Sequence, residues 1–305
     1  MILITEFMDE SEVDRMAAAH KTRYAPDLAD RQGDIPAMMP GVRALVVRNR
    51  TQVTKALLDA SPDLKVVGRL GVGLDNIELE ACDARGIEVI PAIGANTLSV
   101  AEYVVTNTAS LLRNAYQVNT AMMAGDWPRA ACSGREVGGR QLGLIGYGGI
   151  ARETARLARG MGMGVAAYDP HLPPDSPHWL GATQMSLEDV LATSDAVSLH
   201  VPLTDATHHM INARMLSFMR PGSVLVNAAR GGVVDEAALA DAMQSGHISG
   251  AALDVFETEP LSADAAKIFA GLSNLILTPH IAGVTQDSNI RVSTMIADLV
   301  LDRLS

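Results

Sequence analysis

Residues 141–151 read QLGLIGYGGIA, and this stretch decides the fold. The apolar run 142–145 is followed directly by a glycine-rich turn and then by a helical pattern. Gly146 permits a tight turn, Gly148 lets the backbone approach a pyrophosphate, and the small Ala151 lets helix and strand pack closely. The order of strand, turn and helix predicts a dinucleotide-binding unit, although glycine turns of this kind also occur in other strand-to-helix loops.

A second feature, Asp169, supports this interpretation. It ends the next apparent strand and lies about 20 residues after the glycine turn, where a dinucleotide site places the acid that binds the ribose hydroxyls. The alternative role is a solvated acid at a strand end. Because a carboxylate repels a 2′-phosphate, and Pro170 and His171 supply no arginine to bind one, we expect NAD rather than NADP as the cofactor.

Short apolar runs alternate with helical patterns along the rest of the chain. Strands are expected at 2–4, 44–47, 65–67 and 87–90, and then at 142–145, 164–168, 196–200, 223–227, 250–255 and 275–277. Such alternation is typical of parallel sheets whose strands are joined by crossover helices. We therefore predict an α/β protein with two Rossmann-like, doubly wound parallel-sheet domains, the first of them discontinuous in sequence.

The predicted domains are a substrate-binding (catalytic) domain, residues 1–97 plus 286–305, and an NAD-binding Rossmann domain, residues 98–285. A chain of 305 residues suits two compact units of roughly 100 to 200 residues each. A long helical pattern over 97–120 leaves the first domain, and an irregular arm follows it. The helical pattern at 286–304 lies beyond the second sheet, so we expect it to pack back on the first domain.

Composition excludes several classes of partner. The net charge of −11 argues against nucleic acid and anionic membranes, because both require a basic face. No apolar run is long enough for a transmembrane helix, and the N-terminus lacks the pattern of a signal peptide. The two cysteines, Cys82 and Cys132, form no disulfide or zinc motif, which favours a cytoplasmic location. The adjacent His208 and His209 lack a carboxylate at metal spacing and are interpreted as a polar loop.

Three later motifs each place an ionisable residue, Arg230, Glu259 or His280, just after a predicted strand. The carboxyl ends of parallel strands meet at one edge of a sheet, so these side chains should converge. Interconversion of a carbonyl and an alcohol needs a cation, an acid/base and a carboxylate that orients the base. Singly, each residue has a structural alternative: a surface cation, a helix-start acid and a core histidine.

In these motifs, NAARGG at 227–232, ALDVFETEP at 252–260 and TPHIAG at 278–283, the chain resembles the D-2-hydroxyacid dehydrogenase family. The resemblance covers nearly the whole chain and is strongest to the 3-phosphoglycerate dehydrogenase-like branch. It implies an NAD-dependent 2-hydroxyacid dehydrogenase. By this resemblance Arg230 binds the substrate carboxylate and carbonyl oxygen, His280 exchanges the hydroxyl proton, and Glu259 hydrogen-bonds His280.

The resemblance implies further contacts. Backbone N–H groups of Val72 and Gly73 would meet the substrate carboxylate, and Asp254 would lie near the nicotinamide. The helix and arm of the second domain would form a homodimer. The implied cofactor contacts are Gly146, Gly148, Gly149, Ile150, Asp169, His200, Val201, Pro202, Thr207, Ala228, Arg230, Asp254, His280 and Gly283.

Two arginines bear on the substrate. Arg48 follows the strand at 44–47 and Arg69 precedes the loop of Val72 and Gly73, so both suit a distal anionic group, with interdomain or surface ion pairs as the alternative. Arg135, in the arm, is a further candidate to approach the substrate, with a solvated position beside Glu136 as the alternative. The short form of the chain is similar to bacterial (S)-sulfolactate dehydrogenases, which leaves (S)-sulfolactate and 3-phosphoglycerate as expected substrates.

Two other functions fit the same scaffold. A hydroxypyruvate or glyoxylate reductase would act on a smaller acid and would need no distal contact from Arg48 or Arg69. A non-catalytic NAD-sensing regulator would keep the nucleotide site, but we see no disordered tail or peptide-docking extension that would serve regulation.

Overall fold

The chain folds into two units, each built around a parallel β-sheet. The computed structural model describes residues 1–305, and the division falls between Met1–Asn96 with Val284–Ser305 and Thr97–Gly283. Both sheets are wholly parallel, with five and seven strands, which confirms the predicted α/β fold class and the discontinuous first unit.

The first unit has the strand order β2-β1-β3-β4-β5. Its strands are β1 (Ile2–Ile4), β2 (Thr22–Tyr24), β3 (Ala44–Val47), β4 (Val66–Arg69) and β5 (Glu88–Pro91). Its α-helices before residue 96 are α1 (Glu10–Ala19), α2 (Ile35–Met38), α3 (Lys55–Asp59) and α4 (Leu79–Asp83), with 3-10 turns at Pro26–Asp30 and Gln32–Asp34. The sequence did not predict β2, because this edge strand is polar and carries no apolar run.

The second unit has the order β12-β11-β10-β9-β6-β7-β8. Its strands are β6 (Gln141–Ile145), β7 (Gly164–Tyr168), β8 (Thr183–Gln184), β9 (Ala196–Leu199), β10 (Ser223–Asn227), β11 (Ile248–Leu253) and β12 (Leu275–Leu277). Its α-helices are α5 (Thr97–Arg113), α6 (Asn119–Met123), α7 (Gly149–Gly160), α8 (Leu187–Thr193), α9 (Ala213–Phe218) and α10 (Glu236–Gln244), with 3-10 turns at Pro177–Trp179 and Ala265–Phe269. Strand order reverses between β6 and β9, where doubly wound sheets bind ligands.

Helices cover both faces of the seven-stranded sheet. Residues of α5 and α7 share one apolar core with the sheet, and residues of α8, α9 and α10 share the other. The helix expected over 97–120 ends earlier, at Arg113, because Asn114 adopts a left-handed conformation (φ +48°) that stops it.

The last helix, α11 (Gln286–Leu304), belongs to the first unit and packs on β4. A Cβ atom at Gly68 in β4 would lie 2.8 Å from the side chains of Ile296 and Val300, so the glycine lets the helix approach the sheet closely. Thr285 and Ser288 form a capping box that fixes where the helix starts. No helix in either unit has the length and apolar character needed to span a bilayer.

Candidate active site

The carboxyl edge of the seven-stranded sheet gathers most of the predicted site residues. Because β6, β7, β10, β11 and β12 are parallel, the loops that follow them emerge at the same edge. These loops carry the glycine turn, Asp169, Arg230, the segment 254–259 and His280. The sheet topology therefore supplies the convergence that the sequence predicted within this unit.

The glycine turn after β6 has the geometry of a phosphate cradle. Gly146 has φ +86°, and a Cβ atom there would lie 2.6 Å from the carbonyl oxygen of His200, so only glycine fits. At Gly148 and Gly149 a Cβ atom would meet no protein atom within 4 Å, so the backbone faces open space. Helix α7 begins at Gly149 and directs its free N–H groups and positive dipole end toward this space.

Asp169 is held against this turn. Its Oδ2 accepts the Tyr147 N–H at 2.8 Å and its Oδ1 accepts the His171 N–H at 2.9 Å. Each carboxylate oxygen keeps lone pairs for further donors, such as the two hydroxyls of a ribose. An open glycine backbone, a helix start and an oriented carboxylate together fit a dinucleotide.

Next to the turn, the loop after β9 is held by its own hydrogen bonds. Thr207 donates to the carbonyl oxygen of Pro202 at 2.6 Å and accepts the Thr204 N–H at 2.8 Å, so its hydroxyl closes the loop. The imidazole of His200 contacts the Ser198 hydroxyl at 3.0 Å, and burial lowers its pKa to about 4. His200 is therefore neutral near pH 7, and its backbone oxygen contacts the turn at Gly146.

Asp254 organises the loop that carries His280. Its side chain is 1% exposed; Oδ1 accepts the Ile281 N–H at 2.8 Å, and Oδ2 accepts the Ala282 N–H at 2.7 Å. The backbone oxygen of Asp254 accepts the His280 N–H at 2.8 Å. Asp254, expected near the nicotinamide, thus also holds the backbone of the His280 loop.

A hydrogen-bond chain continues from Asp254 to helix α5. The Thr278 hydroxyl lies 2.5 Å from Asp254 Oδ1 and 2.7 Å from the Tyr103 hydroxyl. Since a carboxylate only accepts, Thr278 donates its single proton to Asp254, and Tyr103 must donate to Thr278. Burial raises the pKa of Tyr103 to about 12, which keeps this donor protonated.

His280 and Glu259 form a direct pair. Nδ1 of His280 lies 2.7 Å from Oε2 of Glu259, and Oε1 of the same carboxylate accepts the Phe256 N–H at 3.1 Å. Burial alone would raise the pKa of Glu259, but the hydrogen bond and charge of His280, the Phe256 N–H and the charge of Arg230 lower it below its ordinary value. An ionised carboxylate on Nδ1 leaves Nε2 as the nitrogen that can exchange a proton with a substrate.

Arg230 lies on a shaped turn after β10. Asn227 accepts the Ala229 N–H at 3.1 Å and donates to the carbonyl oxygen of Arg230 at 3.0 Å, which closes the turn. A Cβ atom at Gly231 would lie 1.7 Å from the carbonyl oxygen of Phe256, so the two loops touch through their backbones. The loop of Arg230 therefore lies beside the loop of Glu259, and the charge of Arg230 helps to lower the pKa of that carboxyl.

The sequence alone did not reveal the roles of several of these residues. Asn227 and Gly231 lie inside the motif at 227–232, and Thr278 begins the motif at 278–283. Roles were predicted only for neighbouring residues in these motifs. Tyr103 lies far from these motifs in sequence and becomes visible only when α5 packs on the sheet. A polar or glycine residue directly beside a predicted catalytic group is the signal that could have identified the first three.

In the first unit, Arg48 and Arg69 end adjacent strands, since Val47 pairs with Arg69. The Arg48 guanidinium donates to the Asn289 side-chain oxygen at 2.9 Å rather than to a carboxylate, and burial lowers its pKa. Arg69 folds over Gly71 and donates to the carbonyl oxygen of Leu70 at 3.2 Å. Val72 and Gly73 follow in the next loop and are half-buried.

Arg135, a candidate to approach the substrate, lies instead at the other edge of the sheet. It donates to the carbonyl oxygen of Gly222 at 2.5 Å, and Gly222 directly precedes β10. With Arg140 and Arg220 it surrounds the buried Asp195, which precedes β9. Because Asp195 and Gly222 directly precede parallel strands, this cluster lies at the amino edge of the seven-stranded sheet, opposite to His280.

Comparison with known proteins adds independent information. A family model described as D-isomer specific 2-hydroxyacid dehydrogenase, NAD binding domain, matches residues 105–282. The chain is 49% identical over 300 residues to the (S)-sulfolactate dehydrogenase of Chromohalobacter salexigens, which covers 98% of this chain and 96% of that protein. It is 38% identical over 300 residues to the D-3-phosphoglycerate dehydrogenase of Mycobacterium leprae, covering 98% of this chain but only 56% of that relative.

A solved structure agrees over both units. The D-lactate dehydrogenase of Aquifex aeolicus, complexed with NAD and lactic acid, superposes with a TM-score of 0.86 at 29% identity. The match covers 98% of this chain and 94% of that one. The similarity therefore extends beyond the glycine turn to the whole architecture.

Proposed function

Because this chain belongs to the D-isomer specific 2-hydroxyacid dehydrogenase family, we propose that it interconverts (S)-sulfolactate and 3-sulfopyruvate. The chain is an NAD-binding dehydrogenase of 2-hydroxy acids, as its family and its NAD-complexed structural relative indicate. The observation that carries the chemistry is the 2.7 Å contact of His280 with Glu259 at the sheet edge that also holds the glycine turn. The substrate proposal is supported by the 49% identity to a sulfolactate dehydrogenase over nearly its full length.

NAD supplies the hydride acceptor or donor for C2 of the substrate. In the proposed cofactor site, the N–H groups of Gly148, Gly149 and Ile150 bind the pyrophosphate beside Gly146, and Asp169 binds the ribose hydroxyls. The remaining proposed contacts come from the loops that follow β9, β10 and β12: His200, Val201, Pro202, Thr207, Ala228 and Gly283. Arg230, Asp254 and His280 complete the proposed cofactor contacts, and Asp254 also holds the loop of His280.

The catalytic steps of the protein are proton transfer and orientation. In reduction, His280 donates the proton on Nε2 to the carbonyl oxygen, and in oxidation the neutral Nε2 accepts the hydroxyl proton. Glu259 stabilises the protonated imidazole and fixes its orientation. Arg230 binds the α-carboxylate and polarises the carbonyl oxygen, because guanidinium forms paired hydrogen bonds with carboxylates.

The first unit is proposed to select the substrate. The N–H groups of Val72 and Gly73 bind the α-carboxylate, and Arg48 and Arg69 bind the distal sulfonate. Adjacent strand ends carry both arginines, and the half-buried Arg48 guanidinium donates to the side-chain oxygen of Asn289. A phosphate ester in 3-phosphoglycerate offers similar oxygens and is the second substrate candidate.

Stereochemistry is consistent with this substrate. Family members named for D-isomers act on one spatial arrangement at C2. In sulfolactate the carbon that bears sulfur outranks the carboxyl carbon in the naming rules, so the D-arrangement receives the descriptor S. An (S)-sulfolactate enzyme therefore presents the same face of C2 as a D-lactate enzyme.

We further propose a cytoplasmic homodimer. The arm after α5 exposes large apolar side chains, Tyr116, Met123 and Trp127, which a second copy would cover. Both cysteines are free, as suits a reducing compartment. Sedimentation should give twice the mass of the chain, and a monomer at micromolar concentration would contradict the assembly.

The test is NADH oxidation with a panel of 2-oxo acids that differ only in the distal group: sulfonate, phosphate ester, carboxylate, hydroxyl and methyl. The proposal predicts the highest kcat/KM for 3-sulfopyruvate. A preference for the hydroxyl or methyl member of the panel would instead identify a small-acid reductase. NADH binding without turnover of any acid would identify a nucleotide-sensing regulator.

A further inference from the structure

Glu236 is a buried carboxylate to which the proposed chemistry gives no role. It is the first residue of α10, its side chain belongs to a residue only 8% exposed, and Asp235 already caps the helix by accepting the Ala238 N–H. An acid at a helix start usually lies in solvent, where the dipole favours it at no desolvation cost. Burial of Glu236 therefore needs a partner outside its own helix.

That partner is the loop of Glu259. Oε1 of Glu236 accepts the Glu257 N–H at 2.7 Å, and Oε1 of Glu257 accepts the Glu236 N–H at 3.2 Å. The two residues thus exchange hydrogen bonds reciprocally. His209 contacts the same Glu257 oxygen at 3.1 Å. Helix α10 is connected in this way to the residue two positions before Glu259.

The contacts of Glu236 add to others that hold the backbone of residues 256 and 257. The Phe256 carbonyl oxygen lies against Gly231, and the Phe256 N–H donates to Glu259. With the Glu257 N–H bonded to Glu236, the consecutive residues 256 and 257 both have fixed backbones. The Phe256 N–H, which holds one oxygen of the Glu259 carboxylate, therefore lies on a backbone that is itself held in place.

Glu236 also interacts electrostatically with Glu259, one member of the His280–Glu259 pair. The titratable groups that act on it are Glu257, Glu259 and His209. Burial raises the pKa of Glu236, the charges of Glu257 and Glu259 raise it further, and the Glu257 N–H and His209 oppose this rise. The Glu236 and Glu259 carboxylates therefore interact, so the charge of Glu236 is part of the electrostatic surroundings of the Glu259 carboxylate.

We propose that Glu236 is a positioning residue that fixes the Glu259 loop and contributes charge beside the His280–Glu259 pair. This inference rests on the proposed roles of Glu259 and His280. It assigns two separable contributions to Glu236, a hydrogen-bond acceptor for the Glu257 N–H and a negative charge, and different substitutions remove them.

The test compares Glu236→Gln and Glu236→Ala in the reduction of 3-sulfopyruvate by NADH. Glutamine keeps an acceptor but removes the charge, so kcat at low pH should stay within about threefold while the alkaline limb of kcat/KM moves down by about 0.5 pH unit. Alanine removes both, so kcat should fall at least about tenfold, with the NADH dissociation constant unchanged because the glycine turn is untouched. Glu188→Gln is the matched control, since it removes an exposed first-turn acid from α8 and should leave the pH profile unchanged.

Melting temperatures identify a variant that fails to fold, and Glu236→Gln, which preserves shape, keeps the proposal testable in that case. Wild-type pH profiles and kcat for both Glu236 variants would overturn it. His280→Ala in the same assay distinguishes failure of the proposed function from failure of the positioning role. Full activity of His280→Ala refutes the proposed function. An inactive His280→Ala together with unaffected Glu236 variants refutes only the positioning role.

Discussion

Nδ1 of His280 lies 2.7 Å from Oε2 of Glu259, and the second oxygen of that carboxylate is occupied by the Phe256 N–H at 3.1 Å. The carboxylate therefore has one orientation toward the imidazole. Its lowered pKa means that it stays ionised below the range of an ordinary glutamate, so the pair persists into mildly acid solution.

Replacement of Glu259 by Gln tests the electrostatic part of this relationship. Without the carboxylate charge, the imidazolium required for reduction loses its stabilising partner, and this loss matters most where protons are scarce. We expect kcat for 3-sulfopyruvate to fall about 10- to 100-fold at pH 8 and less at pH 6. A pH profile parallel to wild type would contradict the assigned role.

Thr278→Val tests the chain from Tyr103 to Asp254. Valine has the shape of threonine but leaves the Tyr103 hydroxyl without an acceptor and Asp254 without one donor. The free energy of unfolding should fall by about 1–3 kcal/mol, and kcat should fall because the His280 loop loosens. Thr278→Ser retains the hydroxyl and should behave as wild type in urea unfolding and turnover; equal defects in both variants would rule out the hydrogen-bond chain.

Asp169→Ala tests cofactor choice. Removing the carboxylate abolishes its repulsion of a 2′-phosphate and its contacts with the ribose hydroxyls, so the ratio of kcat/KM for NADH over NADPH should fall at least about tenfold. Trp179 stacks on Tyr147 at the glycine turn and offers a fluorescence signal for cofactor binding, with Trp127→Phe removing the second tryptophan. An unchanged cofactor ratio would show that another group sets the preference.

Arg48→Gln tests the distal contact. The KM for 3-sulfopyruvate should rise at least about tenfold, while pyruvate and glyoxylate, which lack a distal anion, should be affected little. Arg50→Gln is the control, because Arg50 follows on the same loop but is exposed and pairs with Asp30. An equal loss for all three acids would indicate that Arg48 serves structure rather than selectivity.

The sequence predicted the fold class because apolar runs and the glycine turn are local signals. It also predicted which strand ends carry Arg230, Glu259 and His280, since parallel topology sends those ends to one edge. It did not predict the edge strand Thr22–Tyr24, whose pairing with β1 comes from the fold rather than from its own polar residues.

Interactions between residues distant in sequence account for what the sequence did not show about Arg135 and Asp254. Arg135 was expected beside the substrate, but its environment is set by Asp195, a residue distant in sequence. Asp254 was recognised as important, yet its engagement with the backbone at Ile281 and Ala282 depends on two neighbouring strands ending side by side. Burial and hydrogen-bond partners of this kind arise only when the chain has folded.

The most direct measurement is the rate of NADH oxidation with 3-sulfopyruvate by wild type and by His280→Ala, with cofactor binding followed in parallel by Trp179 fluorescence. Removal of a general acid costs about 10²- to 10⁴-fold in rate. We expect such a loss in His280→Ala while NADH still binds. Turnover by His280→Ala at the wild-type rate, or no turnover of any 2-oxo acid by the wild-type protein, would contradict it.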